Sequence, residues 1–250
     1  VLPETTIVMV RGVREQIEQS IEILDCLTEL RAPAVATAEF DDMEPEDQAE
    51  WVNHARERLT PPSPMANALC LLDTGVNHGH PLLEAVIPPD GLHTFKPAWG
   101  TDDRNENGDG HGTQMAGLAA YGDLTHPIIS SEPVVATHWV ESAKIYNDRD
   151  EQLEEQWGNV VVDTVGSLEQ AAPKRPRVFA MQIASQESSF DGRPTAWSSA
   201  TDKFCAAVGE EPAIRRVLFQ SAGNWECKQA DRYPDINREW SVHDPGQAWN

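Results

Sequence analysis

Three short segments bring together side chains able to hold, donate and move protons. Leu71-Leu72-Asp73-Thr74-Gly75-Val76 places an acid at the end of an apolar run. In open α/β sheets that is where ligand-facing side chains lie. Gly110-His111-Gly112-Thr113-Gln114-Met115-Ala116-Gly117 sets an imidazole between glycines at the start of a helical stretch. Flanking glycines make sense where backbone must approach something closely or adopt a positive φ. Phe219-Gln220-Ser221-Ala222-Gly223-Asn224 is a strand-like run entering a small-residue turn that ends in a carboxamide. Taken singly, the first and third read as ordinary turns, and the histidine segment is the most specific of the three.

An Asp-Thr-Gly tripeptide occurs around one of the two catalytic carboxylates of aspartic proteases, and around the Asp that orients the catalytic His of subtilisin-like serine proteases. His111-Gly112-Thr113, with Ala116 and Gly117, resembles the catalytic-His motif of the subtilase family, H-G-T-x-x-A-G, at all five specified positions. The Ala222-Gly223-Asn224 turn is similar to the segment carrying that family's oxyanion Asn. Asp73, His111 and Asn224 also stand in the family's order, 38 and 113 residues apart. The resemblance covers residues 68–250 and implies an α/β fold, a mostly parallel sheet flanked by helices, incomplete at the C-terminus; patterning gives a small N-terminal α/β segment ahead of it. Residues 178–185 resemble the family's substrate-lining strand, with Ala184 or Ser185 where many relatives have Gly.

The resemblance implies that His111 is base and then acid, that Asp73 holds its other ring nitrogen, and that Asn224 donates to the oxyanion, in the hydrolysis of a peptide or protein substrate. The family's nucleophile lies in a Gly-Thr-Ser motif after the Asn segment, and no Gly-Thr-Ser or Gly-x-Ser-x-Gly occurs in these 250 residues. Neither Ser221, in the strand before Asn224, nor Ser167, in an amphipathic stretch, takes the role. The expectation is a serine beyond residue 250, carried by further chain or by a separate C-terminal fragment, and no turnover by the chain alone.

An aspartic protease built on Asp73 is the alternative activity, but it needs a second Asp-Thr-Gly loop, which Val162-Asp163-Thr164-Val165 does not supply. A peptide-binding module without turnover is the non-enzymatic alternative. Asp103-Arg104-Asn105-Glu106-Asn107-Gly108 copies the first half of a calcium loop, but its twelfth position is Gln114 rather than a bidentate Glu, so an acidic solvated loop is expected. His78 and His80 lack a third ligand at recognisable spacing. No metal and no cofactor is assigned. Cys26, Cys70, Cys205 and Cys227 form no C-x-x-C pair and read as reduced thiols of a cytoplasmic protein, with two disulfides as the alternative for a secreted one.

The elements that must position these groups follow from patterning. Continuous apolar runs at 68–72, 140–146, 178–185 and 217–221 fit strands buried on both faces. Helices are expected at 114–121, 152–172 and 197–208. Upstream, residues 7–10 read as a short strand, and Val13, Ile17, Ile21, Leu24, Leu27 and Leu30 as one helical stripe; Pro45 opens a helix reaching Leu59. This gives residues 1–60 as a strand-helix-helix segment, a prosegment or the end of a regulatory domain. Residues 61–66 form a Pro-rich linker, and 67–250 the N-terminal part of a peptidase domain. Nineteen Lys and Arg against 41 Asp and Glu leave a net charge of −22. That argues against a nucleic-acid groove and disfavours an anionic membrane surface. No apolar run approaches the ~18 residues that span a bilayer, and no signal peptide is visible.

Overall fold

The computed structural model describes residues 12–21, 29, 40, 42–103, 110–148, 150, 156–185, 193–210, 215–224 and 242–248. The chain falls into two units, Val1–Asp41 and Asp42–Asn250. In the first, helix α1 (Arg14–Ile21) carries an exposed ion pair between Arg14 and Glu18, one turn apart. The strand expected at 7–10 and the apolar stripe beyond Ile21 lie outside the described residues.

The second unit begins ahead of the prolines at 61 and 62. Helix α2 (Pro45–Glu57) and strand β1 (Leu59–Thr60), grouped above with residues 1–60, belong to this unit. The reason is hydrogen bonding. β1 pairs in parallel with β4 (Val134–Val135), and the Arg58 guanidinium donates to the carbonyls of Glu132 and Pro127.

A five-stranded, wholly parallel sheet forms the centre. β2 (Ala68–Asp73) is its middle strand, followed in the chain by β3 (Leu92–Thr94), helices α3 (His111–Tyr121) and α4 (Thr125–Ile129), and β5 (Trp139–Lys144). Helix α5 (Trp157–Ala171), β6 (Arg177–Met181), α6 (Ala196–Ala206) and β7 (Leu218–Gln220) complete it. The spatial order is β3-β5-β2-β6-β7, so each strand's C-terminal end lies at the same edge. Helices cover both faces, as expected for crossover-connected parallel strands.

Side-chain alternation along β2 divides the core. Cys70 and Leu72 face α5 and α6, where Val160, Val161, Val165, Leu168 and Phe204 pack with Phe179 and Met181. Leu71 faces α3, with Val76, Leu83, Ala116 and Val140. The same alternation turns Asp73 toward the α3 side, two residues beyond Leu71. A buried ion pair sits near the opposite edge of the sheet: Glu141 on β5 is fully buried and accepts from Arg175 and, bidentately, from Arg177 (2.6 and 3.1 Å).

Candidate active site

The site forms where the turn after β2 meets the first turn of α3. The Asp73 carboxylate is 1% exposed, and its Oδ1 accepts from the Thr74 amide at 2.7 Å and from His111 Nδ1 at 2.9 Å. With its amide oriented so that the nitrogen faces the surrounding acceptors, Gln182 donates to Oδ2 and to the Ala180 carbonyl, both at 3.2 Å. A carboxylate can only accept, so His111 carries its proton on Nδ1. Its Nε2 then bears the lone pair of the neutral ring, on a side chain that is 47% exposed. The Asp73 hydrogen bond raises the His111 pKa above the ordinary 6.5; partial burial opposes this, and the charges of Asp73 and Asp103 add to it.

Close backbone contact makes this pair. A Cβ at Gly112 would lie 1.9 Å from the Gly75 carbonyl oxygen, so only glycine lets α3 come this near to the β2 turn. Gly75 itself has φ +101°, and a side chain there would run into the Thr101 carbonyl. Polar bonds fasten the approach: the Gly112 amide donates to Thr74 Oγ1 (3.2 Å), and the Asn77 amide to Thr113 Oγ1 (2.8 Å). Asp103 accepts from both the Thr113 amide (2.6 Å) and the Thr113 hydroxyl (2.7 Å). It thus acts as the missing N-terminal cap of α3, whose own cap position is Gly110. The remaining positions of the calcium-like loop, 104–108, lie outside the described residues.

Asn224 is exposed and lies four residues past the end of β7. The parallel order puts it at the same edge of the sheet as Asp73, with β6 between their strands. The turn before it is tied down: Ser221 Oγ accepts from the Gly223 amide (3.2 Å), and the Gln220 amide donates to Ile183 O (3.2 Å) and Ser221 O (3.0 Å). Beyond β6, Ser185 is buried and exchanges hydrogen bonds with Asp244. A small apolar pocket opens nearby, lined by Ile145, Tyr146, Trp157, Val160, Ile183 and Trp197.

The structure therefore joins Asp73 to His111 and sets Asn224 at the same sheet edge. Ser167 is elsewhere, on α5, where its hydroxyl donates to Asp163 O. Asp163 is exposed on the same helix, so Val162 to Val165 forms no second carboxylate loop. Among the described residues no cluster of three or more His, Cys, Asp or Glu could hold a metal, and no helix is long and apolar enough to cross a membrane. Asp103 and Gln182 are not legible as site residues from the chain alone. Each reaches its target across a fold contact, ten residues from Thr113 and more than a hundred from Asp73; the calcium-like motif marks Asp103 but not as a cap, and no motif marks Gln182.

The subtilase family model matches residues 66–250, and the chain belongs to that family. The family is one of serine proteases. Among solved structures, the CspB protease of Clostridium perfringens is similar at 16% identity and a TM-score of 0.38, covering 63% of this chain and 36% of that one. The chain thus spans about a third of that protease's length. No curated protein matches it in sequence.

Proposed function

We propose that this chain supplies the base and the oxyanion donor of a subtilisin-like serine endopeptidase, and that the nucleophilic serine comes from sequence outside these 250 residues. The observation that carries the reading is the 2.9 Å bond from His111 Nδ1 to a carboxylate that is almost wholly buried. Asp73 fixes the tautomer, so the Nε2 lone pair is available to take the serine proton as its oxygen attacks the scissile carbonyl. The resulting imidazolium is stabilised by Asp73 and then returns the proton to the leaving amine. The Asn224 carboxamide donates to the oxygen that becomes negative. In a subtilisin, removing such an Asn costs ~100- to 1,000-fold in turnover, a value that belongs to that enzyme and sets only the scale here. Substrate is an extended peptide held along the sheet edge.

A fluorophosphonate probe tests this on the gene's product extended through a Gly-Thr-Ser motif, or on this chain mixed with a fragment bearing one. Labelling at that serine, abolished by His111→Ala, is the expected result. A serine in place that stays unlabelled would leave a peptide-binding module as the better account, and labelling indifferent to His111→Ala would remove the histidine from the mechanism.

A further inference from the structure

Lys144 is the last residue of β5 and lies beside Asp73 in register, yet its side chain is buried, with the residue only 6% exposed. An ammonium is costly to bury, so what it holds matters. Nζ donates to the Asp102 carbonyl at 2.6 Å and reaches toward the Trp99 carbonyl at 3.5 Å. Those carbonyls belong to residues 99–103, which touch the segments that carry Asp73 and His111. On one side, the Thr101 carbonyl accepts from the Val76 amide (2.8 Å) and abuts Gly75. On the other, the Asp103 carboxylate caps α3 through Thr113, two residues after His111.

We infer that Lys144 is a positioning residue for the Asp73–His111 pair, acting through the loop 99–103 that it anchors to the sheet. The loop is a strap across the β2 turn and the start of α3, and Lys144 fixes it at its middle. The ammonium does not touch the imidazole; its effect on His111 passes through where the loop sets Gly75 and Thr113. Lys144 gains a catalytic consequence only if the pair works as proposed above.

A purely electrostatic role and a positioning role predict opposite signs. Removing a positive charge near an imidazolium raises that ring's pKa. Loosening the strap weakens the Asp73 bond that holds the His111 pKa up, and so lowers it. The experiment is an NMR titration of His111 in the chain carrying Lys144→Met, which keeps the side-chain length and removes the donors. Expected are a pKa falling toward 6.5 and amide exchange at Val76 and Thr113 faster by about tenfold or more, the scale of losing one hydrogen bond to a charged group. Leu72 and Ala143 amides keep their protection, and Lys144→Arg restores both readouts. A raised or unchanged His111 pKa overturns the proposal. Should Lys144→Met fail to fold, the unmutated chain decides: a Lys144 ammonium protected from solvent exchange supports the strap, and one exchanging like a surface lysine refutes it. These readouts do not depend on peptide hydrolysis, whereas fluorophosphonate labelling scores the catalytic reading without reference to Lys144.

Discussion

Gly112→Ala should part Asp73 from His111 while leaving the sheet intact. The added Cβ would sit 1.9 Å from Gly75 O, about 1.5 Å inside ordinary contact, and the obstacle is backbone that cannot rotate away. Either the β2 turn or the first turn of α3 must retreat. The turn is held by Val76 N to Thr101 O and by the φ of Gly75, so the helix start is the part that yields. A retreat of that size takes a 2.9 Å bond well beyond hydrogen-bonding range. Overpacking of this kind costs ~1–3 kcal/mol in stability. In an assembled enzyme, misplacement by about 1 Å costs on the order of 100-fold in rate. Urea unfolding and an NMR titration of His111 read the two effects: a lower midpoint, and a pKa that drops toward 6.5. A Gly112→Ala chain with unchanged stability and an unchanged His111 pKa would refute the close-approach reasoning.

Asp73→Asn removes the largest cause raising His111, so the ring should titrate at or below 6.5, with partial burial outweighing the smaller, opposing charge of Asp103. In the native chain the raised pKa means that the pair's stabilisation is complete below pH 6.5 and is lost as pH rises through the raised value. Urea midpoints of the native and Asp73→Asn chains should converge over that range, and in the assembled enzyme kcat/KM should rise as the ring becomes neutral. Asp103→Ala uncaps α3 and should cost ~0.5–2 kcal/mol in urea unfolding, with faster exchange of the Thr113 amide. Arg177→Met leaves the fully buried Glu141 with one guanidinium fewer and should cost ~3–5 kcal/mol, while the His111 titration stays in place.

The long elements are readable in the sequence because burial on two faces leaves continuous apolar runs. The expected strands at 68–72, 140–146, 178–185 and 217–221 correspond to β2, β5, β6 and β7, and the helix at 197–208 to α6. The helical stretch read as opening at the His111 segment is α3, and what the sequence does not show is that Asp103 caps it through Thr113. β1, β3, β4 and α4 leave no readable pattern: two to five residues are too short for a period to register, and β1 and β4 exist by pairing across 75 residues. The helix Pro45–Glu57 is legible, but its attachment to the later chain is not, since it rests on Arg58 reaching carbonyls some 70 residues away. In the site, Asp73 and His111 are marked by Gly75 and Gly112, whose close approach the structure explains. Lys144 and Gln182 carry no such mark, because a buried lysine and a glutamine look in sequence like surface residues.

Long-range proton–nitrogen NMR correlations of the His111 ring near pH 9 read its tautomer directly, and so test whether Asp73 prepares a base. The account predicts a proton on Nδ1 and a bare Nε2, with that preference lost in Asp73→Asn. A neutral ring protonated on Nε2 would contradict it, since such a nitrogen has no lone pair with which to accept the proton of a serine.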